Sequence, residues 1–191
     1  YKNLFSSLSL SGTLSLLDNV PDNVMLASEN LRCNSFQLVQ IGIDRNNISD
    51  KSWIYYSDSD ISFVRISFPS NMSPHTVPDG CSSILVEISY GPNDAVPHVL
   101  ENVIPKVLED LIKVGVILKE DHILFAETQL IPKAYVIFDE NRKTSIEIIH
   151  SYLKDIKITP FGRYGRWDYL WSDESIVNGR QIGQMISAKS K

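Results

Sequence analysis

Between residues 35 and 112 the spacing of apolar residues changes once, from a period of two to one near 3.6, and that switch restricts the fold more than any other feature. Four short runs come first, at 35–43, 53–56, 63–68 and 83–90. In the first, Phe36, Leu38 and Gln40 alternate with Gln37, Val39 and Ile41. Ser57-Asp58-Ser59-Asp60 reads as a hairpin turn, and Pro78-Asp79-Gly80 as the turn into the fourth run. Strands joined by such short polar connections predict an antiparallel sheet. Leu100, Val103, Ile104, Val107, Leu108, Leu111 and Ile112 then fall at i, i+3, i+4, i+7, the mark of an amphipathic helix. Pro105 belongs in its first turn or at a kink, and Gly115 is a natural stop.

The rest of the chain extends this pattern. Helices are expected at about 14–19 and 22–30, strands at 122–130 and 134–138, a helix at 141–153 and a strand at 156–161. A last helix is expected over 176–188. The fold class expected is α+β: a largely antiparallel sheet of about six strands with covering helices, followed by a C-terminal strand and helix. An apolar fraction of 43% and a charged fraction of 21% suit a globular chain with a core, and argue against disorder or a fibre. A net charge of −5 gives no general attraction to nucleic acid or an anionic membrane. No run approaches the roughly 20 apolar residues that span a bilayer. The opening Tyr1-Lys2-Asn3-Leu4-Phe5 has neither an initiator Met nor a signal-peptide pattern, and reads as the start of a piece cut from something longer. Cys33 and Cys81 lack metal-ligand spacing and read as free thiols, with the cytoplasm as the default compartment.

The segment richest in chemistry is 162–175. Gly162 and Gly165 leave a strand end, where the backbone can turn sharply or approach a ligand. Arg163 and Arg166 can meet phosphate or carboxylate groups. Trp167, Tyr169 and Trp171 can stack on a flat ligand, and Ser172 and Asp173 are good helix caps. The helix start behind them offers amides to an anion, and Gly179 and Gly183, on one face of that helix, invite the close approach of a backbone or cofactor. The same segment also reads as a surface turn whose aromatics finish a core. Elsewhere, His75, His98, His122 and His150 lack metal spacing, no Gly-x-Ser-x-Gly elbow occurs, and no general base stands out. Trp53, Tyr55 and Tyr56 either line a pocket or fill a sheet face.

From Ala134 to Ile186 the chain resembles the C-terminal end of FAD-dependent oxidoreductases of the amine oxidase/protoporphyrinogen oxidase superfamily, to which UDP-galactopyranose mutase belongs. The residues that carry the likeness are Gly162-Arg163-x-Gly165, Trp167-x-Tyr169 and Asp173-x-Ser175, entered from a strand and leading into a glycine-containing helix. The stretch Ile131-Pro132-Lys133-Ala134-Tyr135-Val136 resembles a strand of that family with Val136 in place of a second proline. Arg32-Cys33-Asn34-Ser35, Trp53-Ile54-Tyr55-Tyr56 and Phe63-x-Arg65 resemble its substrate-domain sheet.

The resemblance implies a substrate-type domain over 1–155 and, over 156–191, a strand and helix completing an FAD-binding domain. It places Gly162, Arg163, Gly165 and Trp167 near the cofactor. Asp173 would accept from the ribityl chain, and the amides of Glu174 and Ser175 would face the pyrophosphate. Tyr55, Arg65, Tyr135 and Arg166 would face a small organic substrate, whether amine, porphyrin, carotenoid or nucleotide sugar. The family's Gly-x-Gly-x-x-Gly turn is absent from the sequence. The implied partner is therefore a missing N-terminal FAD-binding half, without which the chain would be inactive and hold FAD poorly. An apolar surface left bare by that absence would favour self-association. A reading of another class is a complete, non-catalytic α+β binding or interaction module.

Overall fold

A computed structural model describes residues 4–96 and 100–189; His98 lies outside them. The chain forms two compact units, Tyr1–Cys33 with Tyr135–Lys191, and Asn34–Ala134. The division expected from the family resemblance, at 155/156, lies inside the first of these.

The central unit is built on the expected strands. β2 (Cys33–Ile43), β3 (Trp53–Tyr55), β4 (Arg65–Ser67) and β5 (Ser82–Tyr90) match the four runs, and β6 (Ile123–Val136) completes a five-stranded sheet of order β3-β4-β5-β2-β6. The pairs β2–β5, β3–β4 and β4–β5 are antiparallel. The two strands expected at 122–130 and 134–138 are one. Pro132 does not break β6 because β6 is an edge strand, where a missing N–H costs no ladder bond.

Alternation gives the sheet one apolar face, with Val39, Ile41, Ile66, Ile84 and Val86 fully buried. Helix α4 (Ile104–Lys113) supplies Val107 and Leu111 to the same core, so its 3.6-residue stripe covers the period-two face. Pro105 sits in the first turn of α4, as expected. Gly115 lies just past the helix with φ of +74°, a conformation an L side chain resists. Asp110, fully buried on α4, accepts a bond from the Ser62 N–H at 2.9 Å and one from Lys106 Nζ at 2.8 Å. These bonds hold the loop before β4 against the helix.

The terminal unit has its own core. It contains α1 (Leu10–Leu14), α2 (Asp22–Glu29), α5 (Arg142–Asp155), β7 (Ile158–Pro160), the short α6 (Gly162–Gly165) and α7 (Ser172–Lys189). Leu10, Leu14, Val24, Ile149, Leu153 and Trp167 pack in one buried cluster. Helix α1 starts earlier than the expected 14–19 because the Ser9 side chain caps it, accepting from the Gly12 N–H at 3.0 Å. An element absent from the sequence reading, β1 (Leu4–Ser6), pairs parallel with β7. Three residues matched to a partner more than 150 positions away leave no local signal.

Candidate functional site

In the terminal unit, the chain beyond β7 is bent into place by backbone conformations that few residues accept. Gly162 has φ of +72°, and its N–H donates to the buried Asn178 Oδ1 of α7 at 2.7 Å. At Gly165 an added Cβ would lie 2.8 Å from the Ser6 carbonyl oxygen, so glycine is needed for a close approach to β1. The backbone approached is the protein's own, not a ligand. Trp167 follows with φ of +51°. Its carbonyl accepts from Arg142 Nε at 3.0 Å and from the Arg142 terminal nitrogen at 2.6 Å.

The Arg142 guanidinium also meets Asp168 at 3.2 Å and lies 4.0 Å from the centre of the Phe138 ring. Asp168 Oδ1 accepts from the Tyr169 N–H at 2.9 Å. Arg142 is 25 positions upstream on α5, and no sequence pattern linked it to this loop. His150, on the same helix, has Nε2 3.3 Å from the Gly165 carbonyl, and burial pushes its imidazole below the usual histidine range.

This scaffold presents a cationic aromatic cluster. The Arg163 guanidinium lies 4.9 Å from the Tyr135 ring centre and 4.8 Å from that of Tyr169. The two rings stack at 5.3 Å with planes 21° apart, and Trp171 meets Tyr169 edge-on at 6.3 Å. Arg163 also donates to the Leu170 carbonyl at 2.9 Å. Tyr135 and Arg163 are thus together, and Tyr169, visible in the sequence only as one aromatic of the motif, is their third member. Arg166 is exposed and pairs with Asp168 at 3.7 Å, outside this cluster.

Two expectations are corrected here. Trp167 is 1% exposed, packed in the core and not available to a cofactor. Its place in a motif between two exposed aromatics hid an inward-facing side chain. Helix α7 also begins four residues earlier than expected, at Ser172. The Ser175 N–H is consequently spent on the Trp171 carbonyl at 2.9 Å. The first-turn amides a helix leaves without an intrahelical acceptor are those of Ser172, Asp173 and Glu174. The Glu174 carboxylate turns back to accept from the Trp171 N–H at 2.8 Å, half of a capping box, and the Asp173 side chain is exposed. Further along α7, a Cβ at Gly179 or Gly183 would meet no atom within 4 Å, so no described residue makes the close approach expected there.

The central unit carries a second cluster on the sheet face opposite its core. Register sets Tyr55, Arg65, Glu87 and Leu38 in one row across β3, β4, β5 and β2. Arg65 bonds to the buried Glu87 carboxylate and donates to the Tyr55 hydroxyl at 3.2 Å. Its pKa rises further above the ordinary arginine value: burial opposes the charge, and the bonds to Glu87 and Tyr55 more than offset burial. Trp53 and Tyr55 are 55% and 68% exposed, so neither is a core residue, and Tyr55 offers a ring face beside a permanent cation. Tyr56 instead packs edge-on against Phe63 at 5.2 Å on the core side.

No protein-family model and no curated protein matches the chain. Solved structures do. Reduced UDP-galactopyranose mutase superposes with a TM-score of 0.80 over 88% of this chain and 37% of the mutase, at 22% identity. A protoporphyrinogen oxidase candidate from Exiguobacterium sp. 255-15 superposes with a TM-score of 0.73 over 98% of this chain and 41% of its own, at 11% identity. The chain shares their fold. An oxidoreductase from Methanosarcina mazei is more distant, with a TM-score of 0.50 over 70% of this chain. The likeness drawn from the Gly162–Ser175 motifs is thus met at the level of the fold, and the chain spans well under half the length of each of these structures. Among the described residues, no helix is long and apolar enough to cross a membrane.

Proposed function

We propose that this chain is the substrate-facing and C-terminal part of an FAD-dependent oxidoreductase acting on an anionic organic substrate of the nucleotide-sugar class. The observation that carries the reading is the Tyr135–Arg163–Tyr169 cluster, held within one turn of the α7 N-terminus. That donor set fits part of a dinucleotide: the amides of Ser172 to Glu174 suit a pyrophosphate edge, and the exposed Asp173 carboxylate suits a ribityl hydroxyl. FAD, when bound, supplies the ring that exchanges electrons with the substrate. Residues 156–191 are the portion assigned to the cofactor. Tyr55 and Arg65 on the open sheet face are assigned to the substrate, with Tyr55 offering a ring to stack on and Arg65 a charge for phosphate. The nucleotide-sugar class is supported by the superposition on a mutase named for UDP-galactopyranose.

The test uses the chain joined to its dinucleotide-binding half, titrated with UDP and followed by tryptophan fluorescence. Arg65→Ala should weaken UDP binding roughly tenfold or more, the scale of one lost charge-assisted contact. Equal affinity in the variant and the parent would remove Arg65 from the site.

A further inference from the structure

The β1–β7 pair is a two-stranded parallel sheet, an arrangement that seldom stands alone because parallel strands need cover on both faces and further neighbours. Its two outer edges differ. Leu4 N–H donates to the Lys157 carbonyl at 3.2 Å and Phe161 N–H to the Ser6 carbonyl at 2.9 Å, so Leu4 and Ser6 turn their backbone groups toward β7. Alternation then turns the N–H and carbonyl of Phe5 to the opposite edge. On β7, the residues whose backbone faces away from β1 are Ile158 and Pro160, and Pro160 has no N–H to give. The far edge of β7 is therefore closed to a further strand, and the edge at Phe5 is open. Beside it lies an apolar groove of about 460 Å³, lined by Leu4, Leu8, Leu16, Leu17 and Ile158. Leu8 and Leu16 are 51% and 74% exposed.

The geometry points to the Phe5 edge of β1 as the acceptor of a parallel strand from the dinucleotide-binding half, with an apolar segment of that half filling the groove of Leu8 and Leu16. The superposed structures contain more chain outside the match than within it, which leaves room for such a strand. The inference rests on the functional reading above, and adds where, and in which direction, the missing half attaches.

The experiment mixes the chain with the polypeptide encoded immediately before Tyr1 in the same reading frame, produced separately, and measures association and FAD uptake. Phe5→Pro removes the free N–H from the acceptor edge, and Leu16→Lys charges the groove at a site exposed enough to leave the lone chain's melting temperature unchanged. Each should weaken association roughly tenfold. Association and FAD uptake undiminished by both variants would overturn the docking edge while leaving the functional reading intact. Failure of the parent pair to associate or to bind FAD would overturn both.

Discussion

Replacing Trp167 with alanine is expected to cost roughly 3–5 kcal/mol, a large part of what holds a domain of this size together. The indole is 1% exposed and touches a cluster contributed by α1, α2, α5 and β7, so its loss leaves a cavity where these elements meet. The site has little freedom to collapse, because the Trp167 backbone has φ of +51° and its carbonyl carries both Arg142 bonds. The indole Nε1 is buried without a hydrogen-bond partner among the described residues. Trp167→Phe, which keeps an aromatic ring and removes that unsatisfied donor, should therefore cost only about 1–2 kcal/mol. Urea denaturation followed by circular dichroism checks both values. A cofactor-facing tryptophan would behave differently, leaving the midpoint unmoved on replacement by alanine.

In the central unit, Asp110→Ala should cost about 2–4 kcal/mol at neutral pH, because it deletes a fully buried acceptor of two bonds, one from a cation. Burial alone would raise the carboxyl pKa, but the bonds from Lys106 and Ser62 outweigh it and hold the group below the usual carboxylate range. A carboxylate with a depressed folded-state pKa stabilises the fold above its unfolded-state value, and that stabilisation is lost as pH falls through the folded value. The difference between parent and variant should thus be full at neutral pH and shrink in acid. Denaturation midpoints taken from neutral pH down through the acid limb give the comparison. A difference that stayed constant would show that Asp110 acts only by filling space.

Most of the central unit was legible in the sequence because its signals are local. The runs at 35–43 and 83–90 alternate apolar residues cleanly, the stripe from Leu100 to Ile112 has one period, and Pro105 and Gly115 mark the ends of α4. What escaped depends on distant partners. β1 is three residues recognised only through β7, and β6 runs through Pro132 only because it lies at a sheet edge. At the candidate site, the Gly-Arg-x-Gly motif and the need for a turn at Gly162 could be read directly. The roles of its neighbours could not: Trp167 and Tyr169 are two positions apart, yet one closes a core while the other stacks on Tyr135. Arg142, which holds the loop between them, carries no mark that separates it from any surface arginine of α5. The start of α7 was misplaced for a related reason. A helix beginning at Trp171-Ser172 is capped by Glu174 reaching back, whereas Ser172 and Asp173 resembled caps themselves.

A flavin titration of the lone chain, run beside the same chain joined to the half that would complete its dinucleotide site, decides whether these units are part of a flavoenzyme. The joined protein should turn yellow and bind FAD one to one, while the lone chain stays colourless at matched concentrations. Tight stoichiometric binding by the lone chain, or a joined protein that takes up no FAD, would contradict the assignment.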